Sequence, residues 1–202
     1  MTDIDEYNPL DYENLTRNLV RELLRRGPFP LPLQNVFHGS GVYALFYDGE
    51  FMPYRAIRSP DAVFPIYVGK AVPEGARKGR RMTRPSRALH RRLCEHYESI
   101  NQATNLRIQD FSSRFLVVTP LWITMAERFL IEYFQSVWNV CIEGFGLHDP
   151  GRGRHEGEIP WWDALHPGRA WAKRLRQTRI AQDAMDRLAH FLEENPPRKD
   201  LP

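Results

Sequence analysis

The chain has 202 residues, 42% of them hydrophobic, the size of one compact unit with its own core. Its formal net charge of +3 and pI near 9.0 permit a polyanionic partner without demanding one. No apolar stretch approaches the roughly 18 residues that span a bilayer, nothing at the start pairs a basic segment with an apolar run, and Cys94 and Cys141 form no CxxC pair. Membrane insertion, a signal peptide and a disulfide framework are therefore not expected, and reduced thiols fit a cytoplasmic protein.

Tyr12 to Arg26 places Leu15, Leu19 and Leu23 at helical spacing with charges opposite, and Gly27-Pro28 ends the pattern. The proline-rich GPFPLPLQNV that follows reads as an extended connector. Gly41 to Tyr47, GVYALFY, reads as a strand ending in the hairpin signal Asp48-Gly49. Phe64 to Val68 and Arg114 to Val118 are the other strand candidates, so a small three-stranded sheet is expected. Ser86 to Ile100 predicts a helix with Leu89, Leu93 and Ile100 on one stripe, and Ile123 to Trp138 one that is apolar over most of its circumference. The glycine- and proline-rich stretch up to Pro160 is irregular, and Arg169 to Glu194 predicts a final helix. The fold class expected is α+β: a mainly antiparallel three-stranded sheet flanked by helices, with a core over 39–140 and helical extensions over 1–38 and 141–202.

Charge is focused. From Gly69 to Arg92 there are nine basic residues, Lys70, Arg77, Lys78, Arg80, Arg81, Arg84, Arg87, Arg91 and Arg92, against the single acid Glu74, whereas the first thirteen residues carry five acids and no base. Such a run is either a solvated face or a nucleic-acid contact.

Four further features carry chemistry. Tyr43 in GVY and Tyr67 in IYVG sit on strands, where a tyrosine is ordinarily a packing residue. Arg92 and His96, four apart, share one helical face beside the apolar stripe, where each needs a partner. Glu127 points along an apolar face and must be neutralised by an arginine such as Arg92 or by a metal ion. Asn139 follows that helix and reads as a C-cap.

Together, and in this order, these residues resemble the GIY-YIG nucleases, with Gly41-Val42-Tyr43 and, within Ile66-Tyr67-Val68-Gly69, Tyr67-Val68-Gly69 as the two signature tripeptides. The resemblance covers roughly residues 39–140. His96 four residues after Arg92, and Asn139 twelve after Glu127, are similar to the type II restriction endonuclease branch. Val42, Val68 and the long segment between the tripeptides depart from the family pattern.

The resemblance implies a catalytic set of Tyr43, Tyr67, Arg92, His96, Glu127 and Asn139, with Glu127 holding one Mg²⁺ and Arg92 the scissile phosphate. Tyr43 would take the proton of the attacking water with the help of His96, the order of the two being open. Lys70, Arg77, Lys78, Arg80, Arg81, Arg84 and Arg87 would contact the backbone of double-stranded DNA. Arg152, Arg154 and His155, or Arg and Gln side chains in 169–179, would read bases. A homodimer in a prokaryotic cytoplasm, with a companion methyltransferase for the same site, is expected; a repair or homing endonuclease and a non-catalytic DNA-binding protein are the alternatives. His90, Cys94 and His96 lack a second ligand pair for zinc.

Overall fold

A computed structural model of the chain describes residues 8, 10–73, 86–151 and 156–198. Its centre is an antiparallel sheet in the order β1-β4-β2-β3, built from β1 (Phe29–Pro30), β2 (Gly41–Tyr47), β3 (Pro65–Ala71) and β4 (Phe111–Val117). The sheet thus has four strands where three were expected. The fourth is two residues of the proline-rich connector, paired through Phe29↔Ser113 and Pro30↔Ser112; at a sheet edge a proline costs no ladder donor.

β2 is buried along its whole length because helices cover both faces. Val42, Ala44 and Phe46 meet Val20 and Leu23 of helix α1 (Tyr12–Arg25) and Ile123, Ala126 and Leu130 of α3 (Ile123–Phe134). The alternate residues Tyr43, Leu45 and Tyr47 meet Leu89, Leu93 and Ile100 of α2 (Ala88–Gln102) and Trp138 of α4 (Val137–Val140). The same cluster takes in Trp162 and Leu165 of α5 (Trp161–Leu165) and Ala184 and Leu188 of α6 (Ala181–Glu194). A period of two along one strand therefore sorts the chain into two cores. Both terminal helices contribute to them. Among the described residues no helix is long and apolar enough to cross a membrane.

Three expected elements come out differently. Asp48-Gly49 makes no tight hairpin: the chain runs through a 3-10 turn, Met52–Ile57, before β3 pairs back on β2. The helix expected over 123–138 stops at Phe134, because Gln135 takes a left-handed conformation, φ 47°, and its amide Nε2 donates to the carbonyls of Ile131 and Glu132. Trp138 therefore belongs to the separate α4. The last helix starts at Ala181 rather than at Arg169, whose side chain is drawn into the core.

Candidate active site

β3 is an outer strand, and its alternation sends side chains to both faces of the sheet. Cross-strand partners share a face: Tyr43 with Gly69 and Leu45 with Tyr67 lie on the α2 side, Val42 with Lys70 and Ala44 with Val68 on the α3 side. The two tripeptides thus bring Tyr43 and Tyr67 together, ring centroids 6.2 Å apart. Their glycines make room for this. A Cβ at Gly69 would fall 2.4 Å from Tyr43 Oη, and one at Gly41 would fall 1.9 Å from the Leu116 carbonyl oxygen.

α2 supplies Arg92 and His96 to the same face. The Tyr43 hydroxyl lies 2.5 Å from His96 Nε2, and both residues are buried. The imidazole stacks on Phe145 at 4.5 Å and meets the Tyr67 ring edge-on at 5.2 Å. Burial, with Arg92, His148 and Arg169 nearby, holds the His96 pKa well below its ordinary value, so the ring is neutral. Burial pushes the Tyr43 phenol well above 10, Tyr67 adding to the shift and Arg92 opposing it.

Arg92 is mostly buried, and both its terminal nitrogens are engaged. Its Nη1 donates to Glu95 Oε2 at 2.7 Å and lies 2.6 Å from His148 Nε2, and its Nη2 donates to the Gly146 carbonyl at 2.8 Å. Burial works against its charge, but Tyr43, Glu95 and Tyr67 outweigh that effect and raise its pKa further.

Glu127 approaches from the opposite face. Its partner is not Arg92, as the sequence allowed, but Lys70, whose Nζ donates to Glu127 Oε2 at 2.6 Å. Both side chains are about three-quarters buried or more, with 27% and 19% exposure. The reason is the parity of β3: Lys70 stands on the α3 side and Arg92 reaches the sheet from the other. The site consequently straddles the sheet edge, a tyrosine–histidine–arginine group on one face and a lysine–glutamate pair on the other. Glu127 is close enough to raise the pKa of both Tyr43 and Tyr67.

Asn139 lies on α4, beyond the left-handed Gln135, and is not the cap of α3. Its Nδ2 donates to the Val68 carbonyl at 2.8 Å while the Val68 N–H donates to its Oδ1 at 2.7 Å. The amide so pairs the outward-facing main chain of β3 as a further strand would.

The loop after α4 completes the surroundings, and sequence reading missed what holds it. Arg169 was among the residues offered for base reading; it is 2% exposed and unavailable for that. Its guanidinium makes a buried pair with Asp163, 2.7 and 2.5 Å, donates to the carbonyls of Gly144, Phe145 and Leu147, and lies over the rings of Trp162 and Trp171. That clamp fixes the loop whose Gly146 carbonyl receives Arg92. Glu95 had a legible signal, three residues from Arg92 on one helix, whereas nothing in the sequence connects Arg169 with residues 144–147.

Of the residues expected to contact DNA, Lys70 is at the site and Arg87 stands just before α2, its Nε donating to His38 Nε2 at 3.3 Å. Arg77, Lys78, Arg80, Arg81 and Arg84, with Arg152, Arg154 and His155, lie outside the described residues. Among the described residues no three His, Cys, Asp or Glu side chains gather as a metal cluster. What the site offers a cation is the Glu127 carboxylate, which already holds one positive charge in a mostly buried setting. That donor suits Mg²⁺, which takes one or two protein carboxylates and completes its shell with water and phosphate oxygens.

No curated protein matches the chain. Residues 35–192 match the model described as the Eco29kI GIY-YIG domain, a span that includes β2, β3, Arg92, His96, Glu127 and the Arg169 clamp. The chain belongs to this family of GIY-YIG type II restriction endonucleases.

Proposed function

We propose that this nuclease is a metal-dependent enzyme that hydrolyses phosphodiester bonds of double-stranded DNA at a short palindromic site. The observation that carries the reading is the Tyr43–His96 hydrogen bond beside Arg92, with Glu127 across the edge of β3. Hydrolysis of a phosphodiester needs a base for the attacking water and positive charge for the phosphoryl oxygens, and this arrangement supplies both.

The Tyr43 phenol is no standing phenolate, since its pKa is raised. It serves as a relay: as water attacks phosphorus, Tyr43 accepts the water proton and passes its own to Nε2 of the neutral His96, a step that requires the His96 tautomer protonated on Nδ1. The phosphate's negative charge offsets the field of Arg92 and makes His96 the better acceptor once DNA is bound. Arg92 exchanges Glu95 for a phosphoryl oxygen and stabilises the charge that develops there. Mg²⁺ held by Glu127 would supply Lewis-acid polarisation of the phosphate. Tyr67 orients the water, and Asn139 acts through the position of β3.

Lys70, Arg87 and the basic residues from Arg77 to Arg84 neutralise backbone phosphates, giving affinity that falls steeply with salt. Arg152, Arg154 and His155 contribute base contacts. One site cuts one strand, so a homodimer with two-fold symmetry cuts both at a palindrome. A companion methyltransferase of the same specificity would protect the host.

The test is incubation of plasmid DNA with the protein, with Mg²⁺ and with EDTA, beside Glu127→Ala, followed by sequencing of the ends. Discrete metal-dependent fragments sharing one palindromic end and lost in the variant are expected. Scattered nicks without a common sequence, or DNA left intact throughout, would overturn the reading.

A further inference from the structure

In the structure the Glu127 carboxylate is held by the Lys70 ammonium, at 2.6 Å, in a setting where neither side chain is more than 27% exposed. A divalent ion bound at that carboxylate meets a positive charge already in place. Two cations do not share one partly desolvated carboxylate oxygen without mutual repulsion, so occupancy by one costs the other. Lys70 is also the residue best placed to leave: it sits at Lys70↔Val42, one residue from the end of the outer strand, on a flexible four-carbon stem. A phosphate bound beside Tyr43, whose strand partner Gly69 precedes Lys70, would give it an alternative anionic partner.

From this we infer that Lys70 is an internal counter-ion exchanged during loading, and that this exchange couples metal binding to DNA binding. The inference rests on the reading of Glu127 as the metal ligand. In the free protein Lys70 occupies Glu127 and keeps metal affinity low. When DNA enters, its phosphate draws the ammonium away, Glu127 is released, and the divalent ion binds more tightly. Linkage makes the effect reciprocal: metal raises DNA affinity by the same factor as DNA raises metal affinity. The consequence is a site charged with metal chiefly when substrate is present. Arg92 behaves in parallel, since Glu95 holds its Nη1 until a phosphate arrives.

The experiment is a Mn²⁺ titration of the DNA-free protein, free Mn²⁺ being counted by electron paramagnetic resonance, for wild type, Lys70→Met, Lys70→Arg and Glu127→Gln. Far-ultraviolet circular dichroism and a thermal melt establish that each variant is folded. Lys70→Met keeps the aliphatic stem and removes the charge, so Mn²⁺ should bind about tenfold more tightly than to wild type, the order expected for freeing one charge-assisted hydrogen bond. Lys70→Arg, which keeps a cation, should stay near wild type. Fluorescence anisotropy with a mixed-sequence duplex, in Ca²⁺ and in EDTA, then reads the coupling: Ca²⁺ should strengthen DNA binding in wild type and do so by a smaller factor in Lys70→Met. Unchanged or weaker Mn²⁺ affinity in Lys70→Met overturns the exchange while leaving Glu127 as ligand. Unchanged affinity in Glu127→Gln removes the metal reading itself, and the inference with it.

Discussion

The Tyr43 hydroxyl and His96 Nε2 are 2.5 Å apart in a setting where neither residue is exposed by more than 1%. A phenol pushed above its ordinary pKa beside an imidazole pushed below its own forms a pair with both members neutral across the working pH range. Replacing Tyr43 by Phe removes the relay oxygen while keeping the ring, and cleavage should fall by about 10²–10⁴-fold, the usual span of a general acid–base contribution. DNA affinity should change little. Single-turnover cleavage and anisotropy measured side by side check this; a variant with lost binding and intact chemistry would remove Tyr43 from the reaction.

Two histidines are buried neutral, and they make stability depend on pH. His166 accepts the Tyr54 hydroxyl at Nε2 and pairs through Nδ1 with Asn105 Oδ1, and burial, with Arg169 nearby, pushes its pKa down to about 3. His96 is lowered for the same first reason. Both are protonated in the unfolded chain below about pH 6.5 but not in the folded one, so the unfolded state binds more protons there. Their stabilising contribution is complete above pH 6.5 and is lost as pH falls from 6.5 toward the folded values, at a rate approaching 1.4 kcal/mol per pH unit for each, by order of magnitude. Urea unfolding across that range should show a shallower pH slope in His166→Gln than in wild type. Equal slopes would mean that His166 is protonated in the folded protein.

Glu95 holds Nη1 of Arg92, the guanidinium proposed to receive the phosphate. Glu95→Gln lifts this competition and a negative charge from the DNA approach, so affinity for mixed-sequence duplex should rise by roughly three- to tenfold at low salt, the effect shrinking as salt is added. Anisotropy titrations decide it. Weaker binding in the variant would show that Glu95 orients Arg92 rather than competing for it.

The buried pair of Arg169 and Asp163 is the strongest structural prediction. Arg169→Met leaves the Asp163 carboxylate uncompensated and takes the guanidinium donors from the carbonyls of Gly144, Phe145 and Leu147, of which Gly144 keeps the Leu147 N–H, and this should cost about 3–5 kcal/mol in urea unfolding. The double variant Arg169→Met, Asp163→Asn should recover part of that loss. Recovered stability without recovered cleavage would show that the clamp also serves to set the Gly146 carbonyl against Arg92.

Gly69→Ala tests the packing of the tripeptides. Its Cβ would meet the Tyr43 hydroxyl at 2.4 Å and the Tyr67 ring at 3.0 Å, so Tyr43 must move off His96. Cleavage should drop by at least about tenfold, consistent with the sensitivity of catalysis to small displacements, while the melting temperature shifts by only a few degrees. Unaltered cleavage would show that the Tyr43–His96 distance is not needed.

How much of this was legible in the chain follows from the range of the interactions involved. The strand at Gly41 to Tyr47, the helix carrying Arg92 and His96 on its buried stripe, and the focused basic segment are local patterns of period two, period 3.6 and composition, and these the sequence by itself determined. The order of the two tripeptides, the arginine and the glutamate likewise identified the family. Tertiary structure decided the rest. That Glu127 faces Lys70 and not Arg92 depends on which side of β3 each stands, which is set by pairing with β2. That Asn139 binds Val68 depends on Gln135 ending α3 four residues earlier. That Arg169 holds residues 144–147 depends on a desolvated Asp163 and two indole rings meeting it in the core. Periodicity reports the face on which a side chain stands within its own element; which charges meet across elements is settled by register and burial, where an unpaired ion costs several kcal/mol and the chain closes around the partner that removes that cost.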